Sequence, residues 1–132
     1  MSYLVSTRGR YALRVMLDMA EQNGSTVPLK DIANRQGLSL KYLEAIMPCL
    51  KESGLVIGTA GKGGGYKLSR PADGYTVGEI LKASEEQIAP VACLNGAFVC
   101  DKADTCKVLP MWKKLDRIIS DYLDTVKLTD LL

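Results

Sequence analysis

Between Pro28 and Gly54 the chain carries two apolar-periodic runs, each followed by a glycine, and this spacing constrains the fold more than any other feature. Pro28 has a fixed φ and no N–H to leave unpaired, so it suits the first turn of a helix over 28–36. Leu29, Ile32 and Ala33 supply its inward face. Gly37 allows a tight turn. Ser39 is a good N-cap for a helix over 39–53, because its hydroxyl can accept from an orphan backbone N–H. Leu43, Ile46, Met47 and Leu50 then face inward at i, i+3, i+4 and i+7. Gly54 suits the left-handed position that closes such a helix. Two short helices joined by three or four residues containing glycine form the helix-turn-helix pattern.

The flanking segments extend this unit. Tyr11, Ala12, Val15, Met16, Met19 and Ala20 predict a helix over 7–22, ended by Asn23-Gly24-Ser25. After Gly54, Leu55-Val56-Ile57 reads as a strand, Gly58 to Gly65 as a glycine-rich tip, and Tyr66 to Arg70 as the returning strand. Thr76, with Glu79 three residues on, predicts a capping box at the start of a helix over 76–86. Residues 87–108 read as an irregular loop. The last helix, 109–126, carries Trp112, Leu115, Ile118, Ile119, Tyr122, Leu123 and Val126 as a wide apolar stripe. A chain of 132 residues is too small to bury that stripe in its own core, and two-fold pairing with a second copy solves the problem economically. The expected fold is mainly α with a small β-hairpin wing: a winged helix-turn-helix over 1–86, a cysteine loop over 87–108, and a dimerisation helix with tail over 109–132.

Composition excludes several classes. The chain has no histidine, which removes histidine-based acid–base catalysis, triads and metal ligation. It has no Cys-x-x-Cys, and no enzyme activity is expected. The residue after Lys62 is Gly63, so the glycine run fails as a phosphate-binding P-loop. No apolar run approaches the roughly 18–20 residues that span a bilayer, and the N-terminus opens polar rather than as a signal peptide. A cytoplasmic location with no membrane partner is expected. The net charge of +2 is unevenly spread. Residues 1–75 hold 10 Lys and Arg against 6 Asp and Glu, and residues 76–132 hold 7 against 9, which suits a DNA-contacting half followed by something else.

Candidate DNA contacts follow from these placements. On the outward face of helix 39–53 stand Ser39, Lys41, Tyr42, Glu44, Ala45 and Lys51. Lysine and serine can reach phosphates or base edges, and Glu44 can accept from a cytosine amino group. Pro48 is expected to kink this helix beyond the contacts. At the wing tip, Lys62, Gly63 and Gly64 let charge and backbone approach a phosphate or the minor groove. Thr7, Arg8 and Arg10 complete the set. Arg8, Arg10 and Arg14 crowd a helix N-terminus, where the dipole disfavours cations. Either a phosphate partner or a solvated basic patch accounts for them.

Three of the four cysteines, Cys93, Cys100 and Cys106, fall in the spacing C-x6-C-x5-C. A structural zinc site would show a tight Cys pair and four ligands. Thiolates suit an iron–sulfur cluster, and the spacing leaves open a cluster or unliganded, redox-active thiols. Cys49, beside inward Leu50, reads as a small buried hydrophobe.

The segments Ser6-Thr7-Arg8-Gly9-Arg10-Tyr11-Ala12, Leu40-Lys41-Tyr42-Leu43-Glu44, Gly54-Leu55-Val56 and Gly61-Lys62-Gly63-Gly64-Gly65-Tyr66, with Val77-Gly78-Glu79-Ile80, resemble one family. It is the winged helix-turn-helix regulator family that includes IscR, NsrR and CymR (the Rrf2 family), in its cysteine-containing sensor subtype. The resemblance covers nearly the whole chain. It implies a homodimeric repressor or activator on double-stranded, pseudo-palindromic operator DNA. It also implies that Cys93, Cys100 and Cys106 hold a 2Fe–2S or 4Fe–4S cluster that senses redox state, iron–sulfur status or nitric oxide. The alternative is the same regulator without a cluster, controlled by a thiol switch, a small molecule or a partner protein. Three positions depart from the family pattern. Leu109 stands where IscR-like members place a histidine ligand, so the fourth ligand is open. Arg8 stands near where NsrR-like members place a carboxylate. Ala60 precedes the wing glycines, where an arginine is frequent.

Overall fold

The computed structural model describes residues 5–84 and 105–132. Helices α1 (Thr7–Glu21), α2 (Leu29–Gln36) and α3 (Leu40–Glu52) are followed by strands β1 (Val56–Thr59) and β2 (Gly65–Leu68), then by α4 (Val77–Ser84) and α5 (Leu109–Thr125). Short 3-10 turns at Ala72–Gly74 and Leu128–Leu131 complete the elements of the described residues. The expected class holds: a mainly α fold with an antiparallel hairpin and a C-terminal helix. Of the three expected segments, most of the loop over 87–108, including Cys93 and Cys100, lies outside the described residues.

Local chemistry sets the element ends. The Ser6 and Ser39 hydroxyls accept from the backbone N–H of Gly9 and Tyr42, each at 3.3 Å, and so cap α1 and α3. Pro28 caps α2 rather than entering its first turn; its carbonyl accepts from Asp31 and Ile32. After α3, Gly54 takes φ 76°, with Gly54 N–H bonded to Lys51 O and Leu55 N–H to Leu50 O, each at 3.0 Å. This is a Schellman closure. It explains why Leu55 does not begin a strand as expected: it is the residue that folds back onto Leu50. Pro48 lies inside α3 on its exposed side and does not end the helix.

The wing is a two-stranded ladder with Val56 opposite Leu68 and Thr59 opposite Gly65. Val27 adds one further rung, exchanging two 2.8 Å bonds with Tyr66. A single residue has no period, so that rung was not visible in the sequence. It has a steric consequence: a methyl on Gly65, at φ 151°, would collide with the Val27 carbonyl.

One core unites the elements. Val15, Met16 and Met19 from α1, Ile32 from α2, Leu43, Ile46, Met47 and Leu50 from α3, and Ile80 from α4 are all buried in it. Leu128 joins them, so the residues after α5 are not a loose tail but return to the core. α5 itself contributes no buried residue.

Gly65→Ala is expected to destabilise the fold by roughly 3 kcal/mol, combining strain with a forced shift. Gly61→Ala, at φ 89° with open space around it, should cost about 1 kcal/mol. Urea denaturation of the two variants measures the difference.

Candidate nucleic-acid interface

Burying one face of α3 leaves the other outside. Ser39, Lys41, Tyr42, Glu44, Ala45 and Pro48 are exposed, while Leu43, Ile46, Met47 and Leu50 are buried. The expected outward set on α3 is therefore presented together. At the wing tip Gly61, Lys62 and Gly63 are exposed. Gly64 is partly buried, and a methyl there would strike the Thr59 and Gly61 carbonyls, so this glycine is needed by the turn itself. Among the described residues Lys41 and Lys62 make no ion pair.

The three arginines of α1 each bond within the protein as well. Arg10 and Arg14 are exposed, and Arg10 is bonded to the Thr7 hydroxyl at 3.0 Å. Arg8 reaches α3, where its guanidinium donates to Cys49 Sγ at 2.7 Å and to Ala45 O at 3.4 Å. Cys49 is therefore not a purely apolar packing residue. It is a half-buried free thiol that holds an arginine. Arg14 bonds the Gln36 side chain at 3.2 Å and the Gln36 carbonyl at the end of α2. A cation at that terminus is favoured by the helix dipole.

Sequence reasoning missed the carboxylate beneath this arrangement. Asp18 is 1% exposed. It accepts from Arg35 at 2.6 and 3.0 Å and from Gln36 at 3.1 Å. The hydrogen bond to Asp18 holds the Arg35 guanidinium above its ordinary range. Asp18 thus ties α1 to the last turn of α2, immediately before the turn into α3. Its place on the buried face, between Val15 and Met19, was the one available signal.

An aromatic pair buttresses the start of α3. The rings of Tyr11 and Tyr42 meet edge to face with centroids 5.3 Å apart, and Arg14 lies 5.8 Å from the Tyr11 centroid. Tyr42 is thereby held at the α3 surface by α1.

At the wing base, the capping box expected at Thr76 forms on one side. The Thr76 hydroxyl accepts from Glu79 N–H at 3.1 Å, whereas the Glu79 carboxylate is taken by Arg70 at 2.5 and 2.6 Å. On α5, Met111, Leu115, Ile118 and Tyr122 are 53, 37, 55 and 65% exposed. Their i, i+4, i+7, i+11 spacing makes one continuous apolar stripe. Cys106, three residues before α5, is a half-buried free thiol. Among the described residues no three Cys, Asp or Glu side chains converge on a metal position.

A helix-turn-helix that presents a polar helix face, followed by a lysine-tipped hairpin, defines a winged-helix DNA-binding regulator of transcription. The chain belongs to the Rrf2 family: the family model described as an iron-dependent transcriptional regulator matches residues 5–132. It is a transcription factor family, and the chain is not an enzyme. It is 38% identical to the HTH-type transcriptional regulator IscR of Erwinia tasmaniensis over 97% of this chain and 78% of that one. The structure of T. potens IscR matches with a TM-score of 0.73 at 36% identity, covering 96% of this chain and 84% of that one. The structure of CymR, the global cysteine regulator of B. subtilis, matches at 0.79 and 32%, covering 99% and 96%. No helix among the described residues is long and apolar enough to cross a membrane.

Arg14→Ala is expected to remove about 1 kcal/mol of stability, read as a lower melting temperature. Arg10→Ala should leave the melting temperature unchanged.

Proposed function

We propose that this regulator binds operator DNA as a homodimer through the outward face of α3 and the wing, and that Cys93, Cys100 and Cys106 hold an iron–sulfur cluster as its sensor. The observation that carries the DNA reading is the exposed row Lys41, Tyr42, Glu44 and Ala45 on α3, in the same domain as an unpaired Lys62. Lys41, Lys62, Ser39, Thr7 and Arg10 suit phosphates, Gly63 and Gly64 suit close backbone approach, and Glu44 suits a base edge. Arg8 acts from inside, holding α1 against the α3 backbone at Ala45.

Dimerisation follows from α5. Its stripe is exposed in the single chain, and burying such side chains fully is worth about 1.5–3 kcal/mol each. A two-fold partner offers the same stripe in return.

The donor chemistry fits a cluster. Three thiolates in one short stretch, in a chain without histidine, match the soft ligands that iron–sulfur clusters take. The Cys106 thiol is free to serve. Leu109 has no ligating atom, so a fourth ligand must come from another residue, the partner subunit or a small molecule. When bound, the group supplies sensitivity to redox state, iron–sulfur status or nitric oxide. Cys106 then links the sensing segment to α5 through only Lys107 and Val108, so a change at this thiol reaches the dimerisation helix directly.

Three tests follow. Anaerobically purified protein is expected to show visible absorption and stoichiometric iron and sulfide, lost in Cys93→Ala, Cys100→Ala or Cys106→Ala. A colourless protein that still binds operator DNA would replace the cluster with a thiol switch or partner control. Lys62→Ala should reduce the salt slope of operator binding by about one with sequence preference unchanged, whereas Glu44→Ala should change base preference by about 1–3 kcal/mol at one position. Ile118→Asp combined with Tyr122→Asp should sediment as a folded monomer with weakened operator binding.

A further inference from the structure

Among the described aromatic side chains, only Tyr75 is fully buried. Packing alone would accept phenylalanine there. A buried hydroxyl must be hydrogen-bonded, and this one is bonded to the backbone of both wing stems. It donates to Leu55 O at 2.7 Å, just before β1. It accepts from Ser69 N–H at 3.0 Å and Arg70 N–H at 3.3 Å, just after β2. The Ser69 hydroxyl, 3.1 Å away, bonds Gly54 O at 2.6 Å and ties the same stem to the end of α3.

The rest of Tyr75 faces the C-terminal half. Its carbonyl accepts from Leu128 N–H at 3.0 Å, and Val77 N–H donates to Val126 O at 2.8 Å. Thr76 pairs with Lys127 as an isolated bridge. The Arg70 guanidinium lies 4.1 Å from the Tyr75 ring centroid, bonds Gly74 O at 2.8 Å and pairs with Glu79 on α4. One residue therefore grips both stems of the hairpin with its hydroxyl and the chain leaving α5 with its backbone.

We propose that Tyr75 is the positioning residue that sets the wing relative to the dimerisation helix, and so decides whether Lys62 reaches the DNA flanking each half-site. The proposal rests on the reading of the wing as a DNA contact. In a two-fold dimer the α5 pair defines the axis, and the distance from axis to wing tip depends on every joint between them. Ser69 N–H also donates directly to Leu55 O at 3.3 Å, so without the phenol hydroxyl the stems keep that one bond and lose the buried group that reinforces it and draws in Arg70 N–H. The hairpin itself keeps its own ladder.

The test uses the full chain and a palindromic duplex selected in vitro with the wild-type protein. Tyr75→Phe is expected to keep the wild-type circular dichroism, dimer state and base preference within each half-site. It should lose hydroxyl-radical protection in the flanking minor groove, and its salt slope should fall by about one, as for Lys62→Ala. The double variant Tyr75→Phe with Lys62→Ala should then bind no more weakly than either single variant. A merely structural role would lower the melting temperature while flank protection and salt slope stayed at wild-type values, and that result overturns the proposal. So does a uniform loss of protection across the whole site. If Tyr75→Phe does not fold, Arg70→Gln, which frees the same stem from Glu79 and the ring, must show the same selective loss, and its absence overturns the proposal. Wild-type protein that leaves the flank unprotected would instead remove the wing reading beneath it.

Discussion

Burial of Leu43, Ile46, Met47 and Leu50 in the shared core sets the roll of α3, and the surface the protein offers to DNA depends on that roll. A helix with one face packed has no freedom left in the other. Rotation by one residue, about 100°, would expose core side chains and withdraw Lys41 and Glu44. Three further devices hold the helix: the Ser39 cap, the Schellman closure at Gly54 and the Arg8 bridge to Ala45 and Cys49. The face of α3 proposed to meet DNA is thus held in place by the fold itself.

Arginine and lysine have separate duties in the first half of the chain. Arg8, Arg10, Arg14, Arg35 and Arg70 each bond to the protein itself. The side chains of Lys30, Lys41, Lys51, Lys62 and Lys67 form no hydrogen bond or ion pair among the described residues. The difference is chemical. The guanidinium offers a rigid fork of donors that can bridge carbonyls, carboxylates and ring faces, while the ammonium is strongly hydrated and remains in water as a mobile charge. Buried Asp18 shows the consequence, since it draws Arg35 and Gln36 onto α1 and leaves Gln36 to receive Arg14. The arginines crowded on α1 also bond within the helix-turn-helix, Arg8 to α3 and Arg14 to the end of α2.

The C-terminal helix departs from the logic of the core. It lies against α4 with no residue buried, yet Leu128 beyond it is fully enclosed. The helix is therefore anchored at its far end by the residues that bridge to Tyr75 and Val77, while its apolar stripe remains for a second copy. Because the same anchor grips the wing stems, the dimer axis and the wing share one mechanical joint.

Much of this was legible in the chain. Of the five α-helices among the described residues, periodicity located four, because a packed helix must repeat its apolar residues near every 3.6 positions, and the Thr76 cap with Glu79 located α4. The glycines and Ser39 marked ends, because left-handed turns and orphan N–H groups have few chemical solutions. Period and cap are local properties, and the sequence determined them, together with the outward residues of α3. Pairing between distant residues was not legible. The Val27 rung, the Asp18 clamp, the Arg8–Cys49 contact and the Arg70–Glu79 pair that leaves the capping box half made each join segments with no shared local pattern. Only the tertiary structure decided them, because a charged or hydroxyl group takes whichever partner the packed core brings within hydrogen-bonding reach, and that choice belongs to the fold and not to the neighbours in sequence.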